Sequence, residues 1–317
     1  MDTPLIKKAT ISNKHHGQRV DVVLAQLFPD FSRSQLQSWL KQGAITVDQR
    51  HLKPKDKVSG GECVKLHVLE TANHSKSEAE DIPLTIVFED EHLLIINKPA
   101  GLVVHPGAGN PEHTLVNALL HHEPALHQLA RAGIVHRLDK DTTGLLMVAK
   151  NITTHTSLVR QMQAREIQRH YMALSHGHVI SGGMIDTCYG RHPRNRLKMA
   201  VCKQGRQAIT QYSVSKKYQD FTLLNVTLMT GRTHQIRVHM AHINHPIVGD
   251  PLYGGRARYP AGISEALRDT LQEFKRQALH ASTLSFIHPQ REERLTFTAP
   301  LPEDFQLLLT LLDSHRA

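Results

Sequence analysis

Apolar residues near the start of the chain recur at the spacing of short helices. Between residues 20 and 28 they occupy positions i, i+3, i+4, i+7 and i+8, which predicts a helix with one buried face. A second helix is predicted around Trp39, with Ser32 or Ser34 as its N-cap. Alternating apolar and polar residues then predict two strands, at 45–47 and 63–69. Two helices followed by a small sheet indicate an α/β module.

The stretch from Thr71 to Asp81 separates this module from the rest of the chain. It contains no large apolar side chain, so burial cannot compensate for the conformational entropy lost on ordering, and the sequence predicts a flexible linker. We therefore predict a small N-terminal α/β domain at 1–72, with residues 1–15 as an extended arm, a linker at 73–81 and a major domain at 82–317.

Beyond the linker, several predicted strands follow one another directly. This order is not a strict βαβ alternation, and it favours an α+β fold with a mixed, largely antiparallel central sheet and flanking helices. The strands are predicted at 84–88, 93–96, 144–149, 171–175, 208–215, 221–229, 282–287 and 294–298. The helices are predicted at 114–121, 153–163, 233–243 and 264–274, with a last one from residue 302 onwards.

The composition adds a basic charge to this picture. Lys and Arg number 38 against 29 Asp and Glu, which gives a formal net charge of +9 and favours a polyanionic partner. The three cysteines, Cys63, Cys188 and Cys202, form no C-x-x-C pair, as expected in a reducing compartment. No apolar segment has the length of a signal-peptide core or a membrane span, so we expect a cytoplasmic protein without membrane association.

The densest cluster of ionisable side chains is the segment HRLDKDTTG at 136–144. It directly precedes an apolar strand, and loops at the edge of a sheet are where reactive side chains are usually held. The segment also starts like a calcium-binding loop at Asp139, but the twelfth position holds Lys150 where a bidentate glutamate belongs. Taken alone, it further fits a structural turn whose carboxylates pair with Arg137 and Lys140.

A second motif, GRTHQIRVH at 231–239, is predicted to enter a helix near its third residue. The apolar positions of that helix lie on one face, which leaves Arg237 free to point elsewhere. His239, His242 and His245 follow at intervals of three, so we considered a metal site. This spacing drifts around the helix and no H-E-x-x-H pattern accompanies it, so we predict no metal site.

Other residues are candidates for contact with nucleic acid. Tyr171, at the start of a predicted strand, has a ring and hydroxyl that suit stacking on a base or proton transfer, although such a tyrosine is more often a core residue. The segment 191–206 has six Lys or Arg and no acid, which suits phosphate contacts as well as a solvated loop. The candidate RNA-binding residues are Arg33, Lys41, Lys53, Lys55, Lys57, Arg191, Arg194, Arg196 and Lys198.

Together these motifs resemble those of the RluA/RluD family of pseudouridine synthases over almost the whole chain. The first family motif is matched by Asn97-Lys98-Pro99-x-Gly101-Leu102, the catalytic motif by residues 136–145 and the third motif by residues 231–239. The N-terminal module, with Arg19-x-Asp21-x-x-Leu24 and Ser32-Arg33-Ser34, is similar to an S4 RNA-binding domain. That module, together with the segments at 105–110 and 131–133, most resembles RluD-type members.

The resemblance implies the pseudouridine synthase fold and a cofactor-independent isomerisation of uridine. It makes Asp139 the essential carboxylate, places Tyr171 against the target base and pairs Arg237 with Asp139. Arg137 would enter the base stack in place of a flipped uridine, with His136 also contacting the RNA. Two positions depart from the family pattern while keeping the hydroxyl or the charge: Thr143 replaces a common serine and Arg169 a common lysine.

The resemblance further suggests a target, the helix 69 stem-loop of 23S rRNA, either free or in a precursor of the large ribosomal subunit. The expected protein is a monomer that uses no metal or cofactor. Another target site of the same family is an alternative. A non-catalytic rRNA-binding assembly factor, in which Asp139 is only a structural partner of Arg237, is a second alternative. A metal-dependent RNA hydrolase built on the three histidines is a third.

Overall fold

The computed structural model describes residues 6–28, 31, 33–67, 77–107, 109–255, 259 and 262–315. The chain divides into two units, Met1–Lys76 and Ser77–Ala317. This division falls inside the predicted linker, of which residues 73–76 lie outside the described residues. The exact boundaries of the domains stay predictions.

The N-terminal unit packs two helices on a three-stranded antiparallel sheet of order β1-β3-β2. Leu24, Trp39 and Val64, from three of its elements, are almost completely buried in one core. The helices follow the apolar stripes that the sequence predicts. The elements are β1 (Ile6–Thr10), α1 (Val20–Leu27), α2 (Arg33–Lys41), β2 (Ile45–Val47) and β3 (Cys63–His67).

The extended arm predicted for residues 1–15 is wrong for its described part. Ile6–Thr10 pair antiparallel with β3, and the side chain of Ile11 is fully buried in the core. Pairing satisfies the backbone groups of this segment, and the burial of Ile11 anchors its end. Of the two predicted caps of α2, Ser32 lies outside the described residues and Ser34 lies inside the helix.

The second unit is built around one sheet, which has ten strands within the described residues. Its order is β4-β5-β6-β12-β7-β11-β10-β8-β9, with β13 paired to β12. The pair of β6 and β12 is parallel and every other pair of these strands is antiparallel, which confirms the predicted largely antiparallel α+β fold. Nowhere in the described ranges is there a helix long and apolar enough to cross a membrane.

The strands of the second unit are β4 (Ile86–Glu89), β5 (Leu93–Lys98), β6 (Thr143–Ala149), β7 (Gln168–His176), β8 (Gly183–Arg191), β9 (Met199–Val201), β10 (Arg206–Lys217), β11 (Phe221–Leu228), β12 (Leu279–Ile287) and β13 (Arg294–Thr298). The helices are α3 (Leu115–His122), α4 (Ile152–Ala164), α5 (Gln235–His242), α6 (Glu265–Glu273) and α7 (Glu303–Ser314). Strands β8 and β9 were not predicted. They lie at one edge of the sheet, and only Ile185 and Tyr189 among their residues are buried, so they lack the apolar signal of a core strand.

Residues 77–81, the described part of the predicted flexible linker, are held against α3. The amide of Glu80 donates to the carbonyl of Asn117 at 3.1 Å, and the Asn117 side chain donates to the carbonyl of Glu78 at 2.8 Å. The Glu80 carboxylate accepts the amide of His113 at 2.9 Å. The prediction of flexibility is wrong here because hydrogen bonds, rather than apolar burial, fix the segment.

Gly144 stands where the catalytic-motif loop enters the parallel pair of β6 and β12. Its φ is +109°, and a Cβ there would lie 2.3 Å from the carbonyl oxygen of Ala281. Both the backbone conformation and the close approach of β12 therefore require glycine. This contact sets the position from which the preceding turn projects.

We expect Gly144→Ala to lower the free energy of unfolding by at least about 2 kcal/mol, because it adds a steric clash to a strained backbone. Urea denaturation of both proteins measures the difference. Gly101→Ala is the matched control, since Gly101 also has a positive φ of +81° but a Cβ there would have no atom within 4 Å, and strain alone costs about 1 kcal/mol. Equal losses for the two variants would contradict the clash.

Candidate active site

Asp139 projects from the turn that leads into β6. Its carbonyl accepts the amide of Thr142 at 3.1 Å, and Gln277 donates to the Thr142 hydroxyl at 2.9 Å. The turn is thus fixed by a residue that lies two positions before β12. The side chain of Asp139 is 15% exposed, so its carboxylate is reachable from solvent while the backbone below it is held in place.

Lys98 supports the same turn from inside the protein. Its ammonium donates to the carbonyls of Pro99 at 2.7 Å, Leu102 at 3.0 Å and Lys140 at 2.8 Å, and the residue is 1% exposed. Burial lowers the pKa of Lys98 to about 7. The three carbonyls nevertheless take all three hydrogens of the charged form, so the geometry suits an ammonium. Lys98 therefore ties the first motif to the residue that follows Asp139.

Arg237 joins two carboxylates. Its Nη1 lies 2.9 Å from Oδ2 of Asp139, while Nε and Nη2 contact the two oxygens of Asp250 at 2.7 and 2.9 Å. The side chains of Arg237 and Asp250 are 5% and 0% exposed. Burial by itself would lower the pKa of Arg237, but the hydrogen bonds and charges of Asp250 and Asp139 outweigh burial and raise it. A buried cation therefore lies permanently beside Asp139.

Asp250 is a site residue that the sequence reasoning missed. Its Oδ1 also accepts the amides of Leu252 at 2.9 Å and Tyr253 at 3.0 Å, so one carboxylate organises a turn and orients Arg237. The bidentate geometry aims the remaining guanidinium nitrogen at Asp139. An acid shortly after the helix that carries Arg237 was the available signal, but its meaning depends on the turn at Tyr253, which periodicity does not reveal.

His234 and Tyr253 are two further residues that the sequence reasoning did not assign to the site. Tyr253 Oη accepts the amide of Met199 at 2.8 Å and lies 2.9 Å from Nδ1 of His234. Because Oη already accepts a hydrogen bond, its own proton suits donation to Nδ1, which leaves Nε2 protonated. That nitrogen lies 3.9 Å from Oδ1 of Asp139. Burial lowers the pKa of His234 and the charge of Asp139 opposes this shift, so the imidazole suits a neutral donor facing the carboxylate.

The predicted basic loop forms a hairpin next to this group. Arg191 donates from Nη1 to the carbonyl of Arg196 at 2.6 Å, and both side chains and Arg194 are exposed. The ammonium of Lys198 lies 5.8 Å from the centre of the Tyr253 ring. The structure therefore places this basic hairpin beside the residues that surround Asp139.

Tyr171 lies on β7, with β11 and β12 as neighbours, and is 4% exposed. Burial raises its pKa, the charge of Arg169 opposes this and the charge of Asp139 adds to it. The hydroxyl is therefore neutral near pH 7, and the carboxylate of Asp139 is close enough to act on it electrostatically. Arg237 thus contacts Asp139 directly, whereas the charge of Asp139 is what links it to Tyr171.

His136 and Arg137 have different surroundings. Nε2 of His136 accepts the amide of Met147 at 3.2 Å, and burial, with the charge of Arg169, lowers the pKa of His136 to about 3. The ring is thus used inside the protein, and we leave its predicted RNA contact out of the proposed site. Arg137 is exposed and makes no hydrogen bond or ion pair with any other described residue.

In the N-terminal unit, a buried carboxylate organises the basic face. Asp21 is fully buried and pairs with Arg19 at 3.0 Å and with Arg33 at 2.8 Å. Burial would raise the pKa of Asp21, but hydrogen bonds from Arg19, Arg33 and Gln37 lower it to about 2. Both arginine side chains remain about half exposed, so each keeps donors for a second anion.

A concavity of about 630 Å3 lies on the same unit. Its lining combines cations with an apolar floor: Arg19, Gln37, Leu40, Lys41, His51, Leu52, Lys53, Pro54 and Lys55. Lys57 is exposed and its backbone bridges to Arg19. A second concavity, of about 230 Å3, lies in the other unit beside Lys98 and His280. Asp139 lines neither of these two concavities.

Two of the three histidines considered as metal ligands form hydrogen bonds within the protein. His239 contacts the hydroxyls of Thr187 at 3.1 Å and Thr210 at 2.9 Å, and His245 contacts the carbonyl of His176 at 3.0 Å. Across the described part of the chain, no group of three or more His, Cys, Asp or Glu side chains is arranged to hold a metal ion.

Comparisons with known families identify both parts of the chain. Residues 92–242 match the family described as RNA pseudouridylate synthase, and residues 18–64 match the S4 domain. The chain belongs to the RNA pseudouridylate synthase family, a class of isomerases that act on uridine in RNA without a cofactor. The resemblance found in its motifs is thereby confirmed, for the catalytic family and for the S4 domain alike.

Its relatives include proteins named ribosomal large subunit pseudouridine synthase D. The one from Xanthomonas campestris pv. campestris is 51% identical and covers 98% of this chain and 95% of its own. The one from Escherichia coli K12 is 50% identical, and the alignment covers 96% of this chain and 93% of that protein. The one from Pseudomonas aeruginosa is 53% identical, and the alignment covers 95% of this chain and 93% of that protein.

Two solved structures share the fold. The chain named human RNA pseudouridylate synthase domain containing 4 is 27% identical, with a TM-score of 0.57 over 72% of this chain and 93% of its own. The chain named human RNA pseudouridylate synthase domain containing 1 is 25% identical, with a TM-score of 0.54 over 71% of this chain and 86% of its own.

Proposed function

We propose that this protein converts uridine to pseudouridine in 23S rRNA, at several positions of the helix 69 stem-loop. The ribosomal substrate is supported by relatives that share half of their sequence with this chain over nearly its full length. The choice of helix 69 rests on the resemblance to RluD-type members. The observation that carries the proposed chemistry is the solvent-accessible carboxylate of Asp139, held 2.9 Å from a buried arginine.

The reaction breaks the N1–C1′ bond of uridine and forms a C5–C1′ bond. C5 loses its proton and N1 gains one, so the composition of the nucleotide is unchanged. No electron donor, electron acceptor or energy source is consumed. The reaction does need a nucleophile or base beside the sugar, and an ionised carboxylate can serve as either.

Asp139 is that group in our proposal. Arg237 stabilises its negative charge and holds it on one side, while Nε2 of His234 approaches its other oxygen at 3.9 Å. The route by which Asp139 acts stays open among attack on C1′, attack on the ring and removal of a ribose proton. Tyr171 would lie against the extruded base and present a neutral hydroxyl to it.

Access to the target requires the uridine to leave its stack. Arg137, which is exposed and makes no hydrogen bond or ion pair within the described ranges, is suited to fill the vacated space. Arg191, Arg194, Arg196 and Lys198 would contact phosphates beside the target. Because the proposed partner is ribosomal RNA, we expect the protein to act in the cytoplasm, as a monomer.

The proposed reaction and target are tested together by mapping pseudouridine across rRNA from cells with and without this gene. We expect loss of pseudouridine confined to helix 69 of 23S rRNA. Loss at another rRNA position would keep the reaction and reject the target. An unchanged map with defective subunit assembly would instead identify a non-catalytic assembly factor.

The N-terminal concavity makes a separate prediction about RNA affinity. The triple variant Lys41→Gln, Lys53→Gln and Lys55→Gln should weaken binding of a 23S rRNA stem-loop. It should also make the plot of the logarithm of the association constant against the logarithm of the salt concentration less steep. The slope should shrink by about 0.7 to 0.9 for each phosphate that is no longer neutralised. Binding titrations at several salt concentrations measure this slope. The matched control replaces three exposed arginines of the second unit, Arg160, Arg268 and Arg294, by glutamine. Equal slopes for the triple variant and the wild type would reject the concavity as an RNA contact.

A further inference from the structure

Arg169 is a buried cation to which the proposed function assigns no role. The residue is 8% exposed, and its guanidinium donates from Nη2 to the carbonyl of Leu228 at 3.3 Å. Its Nε is buried without any hydrogen-bond partner, and no carboxylate among the described residues pairs with it. Burial lowers the pKa of Arg169, which shows the cost of holding a charge there.

Other buried arginines of the same unit are neutralised. Arg237 is bound by Asp139 and Asp250, and Arg276, which is 9% exposed, forms two contacts of 2.7 Å with Asp304. A buried charge without a partner destabilises the folded protein. Such a cost is retained at sites where it contributes to function.

The placement of Arg169 shows where its charge acts. Alternate residues of a strand share one face, so Arg169 and Tyr171 of β7 lie on the same side of the sheet, about 7 Å apart along the strand. His170, between them, points to the other side and contacts Thr227 at 2.9 Å. The charge of Arg169 is therefore directed to the face on which Tyr171 would meet the base.

Gly231 leaves room for the guanidinium. A Cβ at this position would lie 2.7 Å from Nη1 of Arg169. Gly231 has no positive φ that would itself require glycine, so an alanine fits its backbone. The missing side chain of this motif residue thus lets Arg169 occupy its buried place.

We infer that Arg169 supplies an uncompensated positive charge that stabilises the negative charge developed on the uracil base during the rearrangement. This inference rests on the proposed function and adds a residue to it. When the N1–C1′ bond breaks, its electron pair stays on N1 and spreads to O2 and O4. When a nucleophile instead adds to the ring, the charge develops on O4. Either way the base becomes anionic, so the inference does not depend on the role of Asp139.

The charge acts without a carboxylate to cancel it. A preorganised cation in a water-poor site lowers the energy of a developing anion more than it would in water. It also stays in place through the reaction, since its strand is paired on both edges. Pairing Arg169 with an acid would remove the penalty of burial and with it this effect. Stabilisation of the anionic base therefore depends on Arg169 having no carboxylate partner.

The test uses the full-length protein and a helix 69 stem-loop RNA, with single-turnover rates, RNA affinity and thermal unfolding measured for each variant. Arg169→Met should lower the single-turnover rate of the RNA-bound protein by about 100-fold or more, while its RNA affinity stays within about threefold of the wild type. Its unfolding temperature should be equal or higher, because an unpaired buried charge is removed. Arg169→Lys should stay within about tenfold of the wild-type rate.

Two further variants complete the design. Gly231→Ala, which displaces the guanidinium without deleting it, should lose about tenfold in rate. Arg276→Met is the matched control, because it removes a buried arginine that has a partner. It should lower the unfolding temperature and leave the rate within about threefold.

The outcomes separate this inference from the proposed function. Wild-type activity with an equally fast Arg169→Met would overturn the inference alone. A rate loss that tracks a fall in unfolding temperature, or that Arg169→Lys fails to restore, would show a structural role and also overturn it. No pseudouridine from the wild-type protein on any rRNA fragment would overturn both proposals.

Discussion

Asp139→Asn is expected to lower the rate of pseudouridine formation by at least about 1,000-fold, while RNA affinity stays within about threefold of the wild type. The substitution keeps the size of the side chain but removes its charge, its basicity and its nucleophilicity. The contact with Arg237 can survive as a neutral hydrogen bond, since the amide oxygen still accepts. Single-turnover assays on a 23S rRNA stem-loop, with binding measured in parallel, give both quantities.

Asp141→Asn is the matched control for that variant. Asp141 lies two residues further along the same turn and forms no ion pair within the described part of the chain. The Asp141→Asn substitution removes one negative charge from the same loop, so a general effect of charge on RNA binding would appear in both variants. A similar rate for Asp139→Asn and the wild type would refute the catalytic role of this carboxylate.

Arg237→Met should affect stability and activity together. It leaves the fully buried Asp250 without its partner, and breaking a buried pair in this way costs about 3 to 5 kcal/mol. It also removes the group that holds Asp139, so the rate should fall by about 100-fold or more. Urea denaturation measures the first effect and single-turnover kinetics the second. Arg237→Lys should be only a partial substitute, because an ammonium cannot reproduce the bidentate contact with Asp250.

Adding Asp250→Asn to Arg237→Met separates the two effects. The double variant removes the uncompensated charge, so most of the lost stability should return while the rate stays low. Recovery of the rate together with stability would mean that Arg237 acts only by keeping the protein folded. An unchanged stability in Arg237→Met would contradict the buried pair itself.

The strands and helices of the core were predictable because their apolar spacing is repeated over several residues. Strands β5, β6 and β11 and helix α4 lie within a few residues of their predicted bounds. The order of the strands was not predictable. The parallel pair of β6 and β12 brings together Thr143 and His280, which contact each other at 2.8 Å across 137 residues of sequence. No local pattern carries such information.

The same contrast applies to the candidate site. Asp139, Tyr171 and Arg237 stand in motifs whose spacing resembles a family, so their residue types could be found in the sequence. Asp250 and Tyr253 could not, because their importance lies in contacts made by a turn. Polar contacts of this kind depend on which distant segments the fold brings together. Apolar periodicity depends only on residues that are close in sequence.

The measurement that tests the central claim most directly is the structure of the Asp139→Asn protein bound to a helix 69 stem-loop. We predict a uridine turned out of its stack, with an atom of its ribose or its ring within about 3.5 Å of the residue 139 side chain, its base against Tyr171 and Arg137 in the vacated space. A target uridine that stays stacked in the stem-loop, or a base bound away from residue 139 and Tyr171, would contradict the account.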